Sequence, residues 1–214
     1  MAAPAIKICG VTTAKALDAT LAARAEYVGF NFFPPSPRFL NLGDAKSLGE
    51  RADRRIGKVG VFVDPDDAAL AQAIAAAGLD AVQLHGSETP ARAAQVRAQF
   101  GLPVWKALSV ASSDDVARAN AFAGAADLIL FDAKTPKGAA LTGGMGLSFD
   151  WGLVAHWNGP LAWGLAGGLT PANVCEAARQ TGTPLVDTSS GVESAPGVKD
   201  VDKIAAFARS ARSC

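Results

Sequence analysis

Two side chains in this sequence stand where a proton could be handed over. Cys9 closes the run "AIKICG" (5–10) and Asp132 closes "ADLILFDA" (126–133). A thiolate can take a proton and a carboxylic acid can give one, so the pair suits general acid–base chemistry on a small molecule. Each also has a plainer reading: Cys9 as a small buried hydrophobe, Asp132 as a cap on the loop "DAKTPKG". The two readings of Cys9 weigh about equally.

A second group could hold an anion. "AGGL" (166–169) and "DTSSGV" (187–192) spend small residues where backbone amides stand almost uncovered. Gly167, Gly168, Ser190 and Gly191 could offer N–H groups, and Ser189 or Ser190 a hydroxyl. "PPSPR" (34–38) stiffens a loop and ends in Arg38, whose fork suits a carboxylate or phosphate, with surface solvation as its competing reading. His85, in "QLHG", reads as a satisfied structural histidine or a substrate contact. Asp187, at the end of another apolar run, is assigned as a substrate contact.

Bulk properties narrow the class. The 214 residues carry 20 basic and 20 acidic side chains, which gives no electrostatic footprint for nucleic acid or an anionic membrane. "MAAPAIKICG" lacks the pattern of a secretory signal, and no apolar run approaches the ~20 residues of a membrane span. Three cysteines and two histidines stand in no metal-ligand spacing, and a reducing cytoplasm is the expected compartment.

The elements that must position these residues follow from periodicity. Short β-branched or aromatic runs alternate with alanine-rich amphipathic stretches. Strands are predicted at 5–10, 26–33, 57–64, 80–86, 102–109, 126–133, 161–168 and 184–191. Helices are predicted at about 13–25, 43–53, 66–77, 88–99, 113–123, 148–157, 171–180 and 200–211. Helices between successive strands force parallel pairing, and eight such units close into an α/β fold, a single-domain (β/α)8 TIM barrel over residues 1–214. A doubly wound open sheet is the competitor, but no G-x-G-x-x-G follows the first strand.

In a barrel, active sites lie on the loops at the C-terminal ends of the strands. Alternation turns Ile6 and Ile8 to the helix layer and Lys7 and Cys9 to the lumen. The same rule points Asp132, Gln83 and His85 inward. A carboxyl group over an apolar interior is desolvated and its pKa raised from about 3.9, which makes a proton donor at neutral pH. The glycine and serine loops follow the seventh and eighth strands, where barrels commonly bind phosphate.

The whole chain resembles the phosphoribosylanthranilate isomerase family of tryptophan biosynthesis. The resemblance rests on "KICG" (7–10), "VGFNFFPPSPR" (28–38), "GVFV" (60–63), "VQLHG" (82–86), "FDAKTP" (131–136), "GGMGLSFDW" (143–151), "LAGGL" (165–169) and "DTSSGVESAPGVKD" (187–200), in this order and at these distances. It implies Cys9 as catalytic base, Asp132 as general acid, Arg38 on the anthranilate end of the substrate and the small-residue loops on its phosphate. Two positions depart from the pattern: the family usually has valine where Thr188 stands and threonine where Met145 stands. Neither change falls on a residue proposed as catalytic.

The implied reaction is an Amadori rearrangement of an aminoaldose to an aminoketose. An acid protonates the ring oxygen, the ring opens to an iminium, and a base removes the proton at C2. The iminium is the electron sink, so neither metal nor organic cofactor is required. The expected partner is a small phosphosugar, acted on by a monomer or homodimer. Lys7, two residues below Cys9, could favour the thiolate. A histidine-pathway isomerase would call for aspartates ending strands one and five, where this chain has Cys9 and "KALS". A silent phosphosugar-binding module would be expected to lack Cys9 or Asp132.

Overall fold

The computed structural model describes residues 3–133, 149–155 and 157–214. Eight strands close into one parallel barrel in chain order, with the last paired to the first. They are β1 Ala5–Cys9, β2 Tyr27–Asn31, β3 Gly57–Phe62, β4 Ala81–Leu84, β5 Val104–Val110, β6 Leu128–Ala133, β7 Ala162–Leu165 and β8 Leu185–Thr188. The β1–β8 ladder, Ala5 to Leu185 through Ile8 to Thr188, excludes the open sheet. A two-stranded antiparallel ribbon follows, β9 Glu193–Ala195 and β10 Val198–Lys199.

Helices α1 Ala14–Ala22, α2 Leu42–Ala52, α3 Asp67–Ala77 and α4 Pro90–Phe100 follow the first four strands, α5 Ser113–Ala117 follows β5, and α6 Val174–Thr181 and α7 Val201–Arg212 complete the chain. Their starts are written in the sequence. Thr13, Asn41, Asp66, Thr89 and Ser112 each accept a hydrogen bond from the backbone N–H three residues on, satisfying a donor the helix cannot. Among the described residues, no helix is long and apolar enough to cross a membrane.

Alternation along the strands builds two apolar layers. Ile6, Ile8, Val28 and Phe30 face the helices and are fully buried. Val59, Ala81, Trp105, Ala107, Leu130 and Leu185 fill the lumen, with the Tyr27 ring edge-on to Trp105 at 4.9 Å. The floor of the barrel is therefore packed, and only its upper end is open for chemistry.

Three helix expectations need correction. In the 148–157 stretch the described residues make one 3-10 turn, Trp151–Leu153, capped by the Asp150 side chain, which accepts from Gly152 N at 2.9 Å. The 113–123 helix is α-helical only to Ala117 and 3-10 from Arg118 to Phe122. Its buried positions Val116, Ala119 and Phe122 recur every three residues, the spacing a 3-10 turn keeps in line. Helix α6 starts at Val174 rather than 171, because the Asn173 side chain is committed to the preceding loop, accepting from Thr170 N and donating to Gly168 O. Met145 and residues 134–136 of "FDAKTP" lie outside the described residues.

Candidate active site

A cleft of about 700 Å³ opens at the C-terminal ends of the strands. It is lined by all ten residues singled out from the sequence: Cys9, Arg38, His85, Asp132, Gly167, Gly168, Asp187, Ser189, Ser190 and Gly191. Cys9 enters from β1 and Asp132 from β6, with β7 and β8 between them on the shorter way round the barrel.

Asp132 is buried and held from two sides. Its Oδ1 accepts from Ala133 N at 2.8 Å, and its Oδ2 lies 3.2 Å from His85 Nε2. His85 Nδ1 in turn meets the Gln83 amide at 3.0 Å. His85 thus lines the cleft and stands against Asp132.

Cys9 is buried beside the fully enclosed Lys7, which donates to Asp187 Oδ2 at 2.9 Å. Burial pushes the Cys9 thiol above its ordinary pKa; Lys7 opposes that push and Asp187 adds to it. The lysine therefore tempers the thiol without bringing it below the ordinary value. Asp187 Oδ1 is a buried acceptor with no partner among the described residues.

Arg38 is only 6% exposed, which overturns the solvated-surface reading. Its Nε and Nη2 donate to Glu193 Oε1 and Oε2 at 2.8 and 2.9 Å. Gly10, the glycine of "KICG", makes room for it: φ there is +74°, and a Cβ would stand 2.6 Å from Arg38 Cδ. Two motifs separated by a whole βα unit are thus one packing arrangement.

At the other side of the cleft, the backbone N–H groups of Gly167, Gly168 and Ser190 make no hydrogen bond among the described residues, and neither does the Ser190 hydroxyl. The Ser189 hydroxyl is differently placed from the expectation. It donates to Cys9 O at 3.1 Å and accepts from Lys199 Nζ at 3.2 Å, so it fastens β8 to β1. Ser190 is the hydroxyl left facing the cleft.

Sequence reasoning missed the apolar wall of the cleft, Phe33, Val61 and Val63, and the polar Asn31 and Ser36. Asn31 and Val61 obey the same inward, strand-end rule as Asp132 and could have been found by it. Among the described residues no tryptophan lines the cleft; Trp157 and Trp163 pack on Phe131 instead, and Trp105 is part of the floor. Glu193 and Lys199, which hold the rim, were also missed.

Backbone amides on the last two βα loops that make no hydrogen bond among the described residues stand between a thiol at the end of β1 and a carboxyl group at the end of β6, and the chain falls in the class of (β/α)8 barrels with a small-molecule cleft at the strand ends. The family model for N-(5'-phosphoribosyl)anthranilate (PRA) isomerase matches residues 6–210. The chain is 54% identical over 205 residues to the N-(5'-phosphoribosyl)anthranilate isomerase of Paracoccus denitrificans, covering 96% of this chain and 95% of that one. The crystal structure of phosphoribosyl anthranilate isomerase from Thermotoga maritima superimposes with a TM-score of 0.87 at 32% identity, covering 99% of this chain and 100% of that one. A phosphoribosyl anthranilate isomerase in complex with reduced 1-(o-carboxyphenylamino)-1-deoxyribulose 5-phosphate aligns at a TM-score of 0.85 and 31% identity, covering 99% of this chain and all of that one. This chain belongs to the N-(5'-phosphoribosyl)anthranilate isomerase family.

Proposed function

We propose that Cys9 and Asp132 are the base and the acid with which this chain, an N-(5'-phosphoribosyl)anthranilate isomerase of tryptophan biosynthesis, rearranges its aminoaldose substrate to the aminoketose. The observation that carries the assignment is their placement at the ends of β1 and β6, on the wall of one cleft. The phosphate binds the free amides of Gly167, Gly168 and Ser190, with Gly191 completing the loop and the Ser190 hydroxyl as a further donor. Ser189 supports that loop from behind. Asp187 Oδ1 accepts from a ribose hydroxyl, which would satisfy a buried acceptor that has no partner among the described residues. The aryl ring lies toward Phe33, Val61 and Val63, and its carboxylate meets Arg38.

Pinned in this way, the sugar spans the lumen between acid and base. Asp132 protonates the ring oxygen, and the electron pair of the exocyclic nitrogen opens the ring to an iminium. The Cys9 thiolate then takes the C2 proton, the C–H electrons flow into the iminium, and the enolamine tautomerises to the ketone. No group outside the chain is required by these steps. A free thiol at Cys9 is needed, and a reducing cytoplasm is the compartment that preserves one.

Incubation with N-(5-phosphoribosyl)anthranilate, followed by the loss of its fluorescence, tests the assignment. Wild type should consume the substrate catalytically. Retention of full turnover after replacement of either Cys9 or Asp132 would remove that residue from its role.

A further inference from the structure

The motif "VESAPGVKD" (192–200), directly after the serine–glycine loop, has no part in the chemistry above. It folds back as the β9–β10 ribbon and stands against the loop after β2. Gly197 has φ of +80°, and a Cβ there would run into the Pro37 carbonyl, so the ribbon tip presses on the residue before Arg38. At the root, the buried Glu193 carboxylate accepts four hydrogen bonds. They come from Arg38 Nε at 2.8 Å and Nη2 at 2.9 Å, Lys199 Nζ at 2.7 Å and Gly197 N at 3.2 Å. Lys199 also donates to Ser189 O at 2.9 Å and Oγ at 3.2 Å. One connected set of polar groups thus runs from Arg38 through Glu193 and Lys199 to Ser189 and Cys9 O.

Taking a carboxylate and two cations out of water is expensive, and a ribbon needed only for stability would be served as well by apolar packing. What such a set supplies is fixed direction. A guanidinium gripped through two parallel N–H bonds cannot rotate, so its position in the cleft is set before substrate arrives. The chemistry of the residue matters as well. Glutamine could accept at only one atom and would turn its NH2 toward a cation.

We propose that Glu193 is a positioning residue for recognition of the substrate's aryl carboxylate, holding Arg38 at the rim of the cleft. The proposal rests on the assignment of Arg38 to that carboxylate.

The test compares two substrates, N-(5-phosphoribosyl)anthranilate and the adduct of ribose 5-phosphate with aniline, which lacks the carboxylate. Wild type, Glu193→Gln, Glu193→Asp and Arg38→Ala are each assayed on both. Glu193→Gln should lower kcat/KM for the carboxylated substrate by about 10²-fold, mainly through KM, the scale of a misplacement on the order of 1 Å. The aniline adduct should be nearly unaffected, so discrimination falls toward that of Arg38→Ala. Glu193→Asp keeps the buried charge and the fold while withdrawing the carboxylate by one methylene, and its discrimination should be intermediate; it decides the matter if Glu193→Gln does not fold. An equal fall on both substrates, or full discrimination in the Glu193 variants with its loss in Arg38→Ala, would overturn the proposal. Full discrimination in Arg38→Ala would instead overturn the assignment of Arg38 itself.

Discussion

Lys7 Nζ and Asp187 Oδ2 stand 2.9 Å apart on neighbouring strands, directly paired in the β1–β8 ladder, where the apolar lumen gives way to the cleft. Lys7 is 0% exposed, so this contact is the electrostatic lid on the barrel's packed floor. Burial works to strip the Lys7 proton, but Asp187 and Cys9 outweigh it and hold the ammonium above its ordinary pKa. The same pair therefore orients Asp187 and sets the field at the Cys9 thiol.

Removal of one partner leaves the other charge buried and alone. Lys7→Met should cost about 3–5 kcal/mol in urea denaturation, the usual penalty for breaking a buried ion pair. Adding Asp187→Asn should recover part of that loss, since the orphaned charge is then gone. A Lys7→Met loss below about 1 kcal/mol would mean the pair is wet in solution and does not cap the floor.

The pH profile follows from the thiol. Burial raises Cys9, so the thiolate is scarce at neutral pH and kcat/KM should climb beyond about pH 8.5, where an ordinary thiol is half titrated. Lys7 opposes the rise, and its loss in Lys7→Met should move the climb to still higher pH. A profile identical to wild type would deny the lysine any hold on the base.

Chemistry and binding should separate. Cys9→Ala and Asp132→Asn should each lower kcat by about 10² or more, the usual contribution of a general acid or base. Calorimetric titration with inorganic phosphate should give nearly the wild-type affinity for both, because neither side chain belongs to the loops after β7 and β8. Loss of phosphate binding in these variants would show that they disturb the cleft as a whole.

The eight strands were legible because short β-branched runs recur between amphipathic stretches, and the site because barrel geometry puts chemistry at inward strand ends. Cys9, His85, Asp132 and Asp187 all follow from that one rule. What it cannot supply is pairing between distant residues: Arg38 and Glu193 are 155 positions apart, and nothing local in "VESAPG" announces a partner. The Ser189 hydroxyl escaped for the same reason, its acceptor being a carbonyl on the first strand. The helix expected over 148–157 is instead a short turn whose backbone bonds span three residues, Leu153 N to Asp150 O and Val154 N to Trp151 O.

Glu193 also predicts an acid-side loss of stability. Burial alone would raise its carboxyl, but Arg38 and Lys199 outweigh burial and hold it below the usual carboxylate range. A depressed folded-state pKa contributes stability that is complete above the unfolded value, about 4.3, and is lost as pH falls toward the lower folded value. Denaturation midpoints of wild type should therefore drop below about pH 4.3 more steeply than those of Glu193→Gln, which has no proton to bind there. Parallel curves for the two proteins would contradict the linkage.

The loop after β8 offers the sharpest test of the phosphate site. Thr188 donates from Oγ1 to Leu169 O at 2.7 Å and so stitches the loops after β7 and β8 together. Gly191 lies against the same stitch: a Cβ there would collide with Leu169 O and stand 2.9 Å from Thr188 Oγ1. Backbone and a bonded hydroxyl cannot swing aside as a flexible side chain would, so the loop itself must move, carrying the Ser190 amide with it. Gly191→Ala should therefore weaken inorganic phosphate binding and raise KM by about 10-fold or more, with kcat less affected, since remote binding is lost while acid and base remain. Thr188→Val removes only the stitch and should cost about 1 kcal/mol of stability, the net worth of one hydrogen bond. If Gly191→Ala binds phosphate as tightly as wild type, the dianion is held somewhere other than this loop.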